Sequence, residues 1–194
     1  VDKASFPPPF YRLIDSNRTV ELEAISSLTN RVTKMTAKAL HCDRYTIGPD
    51  FISDLDKMSR FGSYSLTHAV LAARWSVEND CLEEKDLSVF LQDVIQRLEA
   101  LVEKPGIPAD LRIESIAMLL YAGAQARIKN EWIQDIVATQ QQDGGWLPAS
   151  EWENPSQHTT FLALWVLLEA LYPDSREVPM IPRPVVPDQL KPGP

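Results

Sequence analysis

Two of the three histidines in this 194-residue chain, His68 and His158, each stand seven positions before a tryptophan, Trp75 and Trp165, in apolar stretches of similar form. Between them Glu114 stands seven positions before Tyr121, so an ionisable residue followed by an aromatic one recurs roughly every forty-five residues. One step back along the chain falls on Glu23, where Asn30 takes the aromatic place. If the segments lie parallel, Glu23, His68, Glu114 and His158 arrive at one level. Two imidazoles with one or two carboxylates then form a donor set for Zn(II), Mn(II) or Fe(II). A metal ion with an open coordination position activates bound water, the chemistry of a hydrolase or a lyase. A competing reading has the same groups start helices and bond to backbone and glycine-rich turns. The chain is then a non-catalytic domain that binds a small-molecule or protein ligand. His41 is set aside, because it adjoins Cys42 and Asp43 and neighbours on a helix point in different directions.

To bring such residues together the chain needs repeated helical hairpins, and its apolar spacing predicts them. Val20, Ile25, Leu28, Val32, Met35 and Ala39 follow helical periodicity over 19–40. Further helices are expected over 50–58, 65–78, 86–102, 109–126, 131–141 and 156–171, punctuated by Gly62, Pro105-Gly106 and Gly144-Gly145. No segment alternates as a strand does. The reading is an all-α fold: an extended N-terminal segment over 1–18, a toroid-like helical domain over 19–173 and a Pro-rich tail over 174–194. Apolar helices alternating with more polar ones stack with the apolar set inside, as a partial α/α toroid. The prolines of the tail, from Pro179 to Pro194, preclude helix, and Val178, Met180, Ile181, Val185 and Val186 are expected to strap onto the helical body.

The formal charge of −8 and the lack of clustered Lys and Arg argue against a nucleic-acid partner. No apolar run approaches the roughly twenty residues that span a bilayer. The start at Val1 reads as a processed one, and Cys42 and Cys81 each follow a predicted helix, so both thiols reach one pole if those helices are parallel neighbours. A disulfide fits a secreted or periplasmic protein, and two unpaired thiols fit a cytoplasmic one. Trp75, Tyr121 and Trp165 suit either an apolar ligand cavity or plain core packing. Trp146 and Trp152 lie in the loop before the last helix, where ligand contacts concentrate, though Trp146 also suits an anchor for the turn. An open helical array also invites a homo-oligomer. No phosphate loop, nucleophile elbow or Cys-x-x-Cys pair is present.

Gln140-Gln141-Gln142-Asp143-Gly144-Gly145-Trp146, followed after a loop by Ser156-Gln157-His158 and the run to Trp165, resembles the repeat of the squalene/hopene cyclase and protein prenyltransferase β-subunit superfamily. The resemblance covers about the last sixty residues well and the middle loosely. It implies an α/α toroid with a zinc-ligating His158 at the start of an inner helix. The Asp-x-Cys ligand pair of the prenyltransferases has no counterpart, since Glu114-Ser115-Ile116 stands there, and Asp54-Leu55-Asp56 is a poor match to a cyclase acid motif.

Overall fold

A computed structural model describes residues 8–173 and 179–181. The described residues contain eight α-helices and no strand: α1 (Leu22–Ser26), α2 (Arg31–Leu40), α3 (Phe51–Ser59), α4 (Ser63–Glu78), α5 (Ser88–Val102), α6 (Ala109–Tyr121), α7 (Asn130–Ala138) and α8 (Gln157–Leu171). Short 3-10 turns cover Glu84–Leu87 and Gln125–Arg127. In chain order the helices pair as hairpins, and α2, α4, α6 and α8 pack successively against one another. Beside that row α3 packs on α4, α5 on both α4 and α6, and α7 on α8.

The sequence accounts for this layering. On α5, Phe90, Leu91, Val94, Leu98 and Val102 are buried while Val89, Gln92 and Gln96 face solvent, the one-sided pattern of an outer helix. On α4, Ala69, Ala72 and Ala73 are fully buried, and such small residues let neighbouring helices approach closely. Every residue of α6 from Asp110 to Leu120 except Arg112 is buried, because α4, α5 and α8 surround it.

Most helix ends fall within three residues of the expected ones, and two places depart further. The continuous helix expected over 19–40 is broken at residues 27–30, where the Asn30 side chain accepts from the Thr33 amide at 3.0 Å and starts α2 afresh. α6 ends at Tyr121 rather than residue 126, since Gly123 takes φ +80° and turns the chain away. Within the expected extended N-terminus, Pro8–Leu13 forms a 3-10 helix on α2. There the buried Arg12 grips both carboxylate oxygens of Asp43, at 2.5 and 2.7 Å, and the Leu40 carbonyl at 2.7 Å.

Cys42 and Cys81, just beyond the ends of α2 and α4, form a disulfide. The tail returns to the same end of the array. The Trp75 indole donates to the Met180 sulfur, and the Ile181 amide donates to Glu78 at 2.9 Å with the Ile181 side chain buried. Val178, Val185 and Val186 lie outside the described residues. No described helix is long and apolar enough to cross a membrane.

Candidate metal centre at the N-terminal ends of the inner helices

α6 carries Asp110 and Glu114 one turn apart, and α4 and α8 each bring a histidine and a threonine to one of them. From α4, Thr67 donates to Glu114 Oε1 at 2.6 Å, and His68 Nδ1 lies 3.4 Å from the same oxygen. From α8, Thr159 donates to Asp110 Oδ1 at 2.6 Å, and His158 Nδ1 lies 3.0 Å from it. The Tyr64 hydroxyl crosses from α4 to donate to Asp110 Oδ2 at 3.1 Å. The result is two histidine–threonine pairs serving two carboxylates on the helix between them.

Proton positions follow from the partners. A carbonyl and an ionised carboxylate only accept. His68 Nδ1 faces the Tyr64 carbonyl at 2.8 Å and His158 Nδ1 faces Asp110, so each ring carries a proton at Nδ1 and leaves Nε2 as the nitrogen able to bind a ligand. A carboxylate that holds one ring nitrogen while the other serves a metal is the usual support for metal-bound imidazole.

Electrostatics separate the two acids. Burial raises the pKa of Asp110, but hydrogen bonds from His158 and Thr159 outweigh it and hold the carboxyl below its ordinary value. The same contact raises the pKa of His158 above its usual value, against the opposing effect of burial. Glu114 is only 4% exposed, and that burial pushes its pKa up despite the nearby imidazoles. Its Oε2 is buried with no hydrogen-bond partner. Burial, and then the Asp110 charge, push the Tyr64 phenol up to about 12, so it remains a donor at neutral pH.

Ligand atoms of Asp110, Glu114 and His158 lie within 4.8 Å of one another. Ligands at about 2.1 Å from one ion sit roughly 3–4 Å apart, so the widest of these separations would shorten by about 1–2 Å on closing around an ion. No protein family, curated protein or solved structure matches this chain. The chemistry of the site therefore rests on its own geometry: an acidic, partly buried donor set whose open side is marked by the half-exposed His158 and the part-exposed His68.

The structure brings together His68, Glu114 and His158 and adds Asp110, which the forty-five-residue register had missed. His68 and Glu114 are both the sixth residue of their helices, whereas His158 is the second residue of α8 and meets Asp110, the second of α6. The repeat is thus one helical turn out of step at its last copy. The acidic pair at Asp110 and Glu114, on one helix face, was the available signal. Glu23 does not join the cluster. It is exposed on α1, which packs on α2, because the break before Asn30 separates it from the inner row.

The aromatic residues stand elsewhere. Trp75, Tyr121 and Trp165 lie about 10 Å farther along their helices than the matched polar residues, two turns on. Trp75 is buried beside Phe10 and Met180, and Tyr121 packs edge-on against Trp165 while donating to Glu78 at 2.5 Å. They form the closed end of the array. Trp146 is also an anchor: 1% exposed, it donates from its indole to the Ile136 carbonyl at 2.7 Å. Trp152 alone of the five is well exposed, at 58%.

Proposed function

We propose that the cluster at the N-terminal ends of α4, α6 and α8 binds a divalent transition-metal ion and that the domain is a metal-dependent hydrolase or lyase. The observation that carries this reading is the buried, unpartnered Oε2 of Glu114, set among the donors of Asp110 and His158. A buried carboxylate oxygen without a donor costs about 1–3 kcal/mol or more unless it is protonated or meets a cation. Glu114 supplies a carboxylate ligand and His158 its Nε2, Asp110 holds the His158 Nδ1 proton and supplies charge from behind the ring, and His68 stands beside Glu114 as a further donor. The nitrogen and oxygen donors suit Zn(II), Mn(II) or Fe(II). Such an ion supplies a bound water of lowered pKa. Thr67 and Thr159 hold the carboxylates in place, and an imidazole Nε2 at the open side receives a proton from water or substrate. The Gln140-to-Trp146 and Ser156-to-Trp165 likeness supports placing the repeat with the α/α toroids, and the Cys42–Cys81 disulfide supports a secreted or periplasmic location.

Elemental mass spectrometry of untagged protein tests the site. Near one equivalent of Zn, Mn or Fe is expected in the native chain, lost in Glu114→Gln and His158→Ala with helicity retained. Glu114→Gln keeps the Thr67 contact and removes only the charge. Protein that takes up none of these ions on reconstitution would overturn the proposal and leave a non-catalytic binding domain, with exposed Trp152 the first contact to test.

A further inference from the structure

The row α2–α4–α6–α8 has two ends, and the described residues cover only one. At the first end, the 3-10 helix Pro8–Leu13 and α1 pack on α2, where Val20, Ile25 and Ala37 form a small core of their own. At the other end, α8 buries Leu162, Ala163 and Val166 and leaves an apolar stripe on its opposite face. Phe161, Leu164, Leu168, Leu171 and Tyr172 are 60%, 47%, 55%, 70% and 62% exposed. Phe161, Leu164, Leu168 and Leu171 are spaced by three to four residues and so lie along one side of α8, and Tyr172 follows at its C-terminal end. A helix apolar on all sides normally has neighbours on all sides.

We infer that this stripe is the contact of a two-fold homodimer in which α8 of one copy packs on α8 of the other. Four observations select a second copy joined in this way. Head-to-tail stacking would seat α8 on the open flank of α2, and the 3-10 helix and α1 already occupy that place. A self-complementary joint remains. The stripe itself carries no charge; the ionisable residues of α8 are His158 and Glu169, so the two acidic copies meet without like charges at the seam. The five side chains expose on the order of 500 Å2 per copy, and pairing them buries about 1,000 Å2, where specific interfaces begin. The described tail residues 179–181 lie against α4, at Trp75 and Glu78, rather than along the stripe. Dimerisation would continue the inner row through the two-fold axis and leave the metal-site mouths at the N-terminal ends of the helices.

Sedimentation equilibrium of the full chain tests this, with a mass twice the 21.9 kDa of one copy expected at about 100 µM. Leu164→Glu/Leu168→Glu puts unpaired charge in the seam and is expected to weaken association more than about a hundredfold with helicity unchanged. The described residues hold no free cysteine, so Leu168→Cys supplies a single reactive thiol among them. Oxidation should join it into dimers and nothing larger. A monomeric native chain at that concentration would overturn the proposal, as would undiminished association of the charged variant. A chain ending at Ile181 that dimerises when the full chain does not would show instead that the tail covers the stripe.

Discussion

Removing the Cys42–Cys81 bond gives a prediction whose size follows from the topology. The bond closes a loop with a sequence separation of 39, which contains α3 and α4 and hence Thr67 and His68. Cross-linking restricts the unfolded chain, and for a loop of this length the chain-entropy relation gives about 4 kcal/mol. Cys42→Ala/Cys81→Ala removes one sulfur atom at each position, and with Cys42 buried that adds a smaller packing loss in the same direction. In a protein of this size 1 kcal/mol moves the melting temperature by roughly 2–4 °C, so the double variant should melt roughly 8–16 °C lower than the oxidised protein. Calorimetry of the oxidised protein, the reduced protein and the double variant measures it, with the two altered forms expected to agree. A shift under about 2 °C, or two titratable thiols in unfolded protein that has never met a reductant, would refute the reasoning.

Gly145→Ala should destabilise the fold by about 1–3 kcal/mol in chemical denaturation, because the added Cβ would lie 2.5 and 2.9 Å from the ring carbons of Pro155. The obstacle is a rigid ring in the loop that delivers Ser156 and α8, so His158 should lose its position with it. Acid should weaken the N-terminal joint in two stages. Burial lowers the pKa of His41, only partly opposed by its bond to the Pro9 carbonyl, with the Arg12 charge lowering it further. Its stabilising effect is therefore complete above the unfolded value of 6.5 and falls as the pH drops below it. Burial raises the pKa of Asp43, but the Arg12 hydrogen bonds and charge hold it below 3.8, so its contribution persists above 3.8 and is lost as the pH falls through the lower folded value. Denaturation midpoints across the acid range check both stages, and His41→Ala should abolish the first alone.

The fold was legible where periodicity was long and punctuated. α3 through α8 lie close to their expected places because Gly62, Pro105-Gly106 and Pro155-Ser156 mark their ends and their apolar faces are continuous. The first helix misled because Val20, Ile25, Leu28 and Val32 keep helical spacing across a real break. Val20 and Ile25 pack into their own small core, and Asn30 caps a new helix, so two elements share one apparent period. The 3-10 helix Pro8–Leu13 had no periodic signal; it is fixed by Arg12 reaching Asp43 across 31 positions, a contact local pattern cannot reveal.

The candidate site shows what a repeat can and cannot specify. It predicts that apolar helices lie side by side and which ends share a pole, and on that basis His68 and Glu114 were found as neighbours. It does not fix axial register between copies, because a shift of one turn, about 5.4 Å, preserves the buried face while exchanging every partner along it. α8 makes that shift, and His158 consequently meets Asp110 instead of Glu114. The displacement has a chemical consequence. Had both histidine–threonine pairs converged on Glu114, one carboxylate would have faced two imidazoles; with the shift, Asp110 takes the hydrogen bonds of His158, Thr159 and Tyr64. Glu114 then keeps an unpartnered oxygen in the buried interval between α4 and α8, and it is this oxygen, more than the histidines, that calls for a cation, a proton or a bound water as partner.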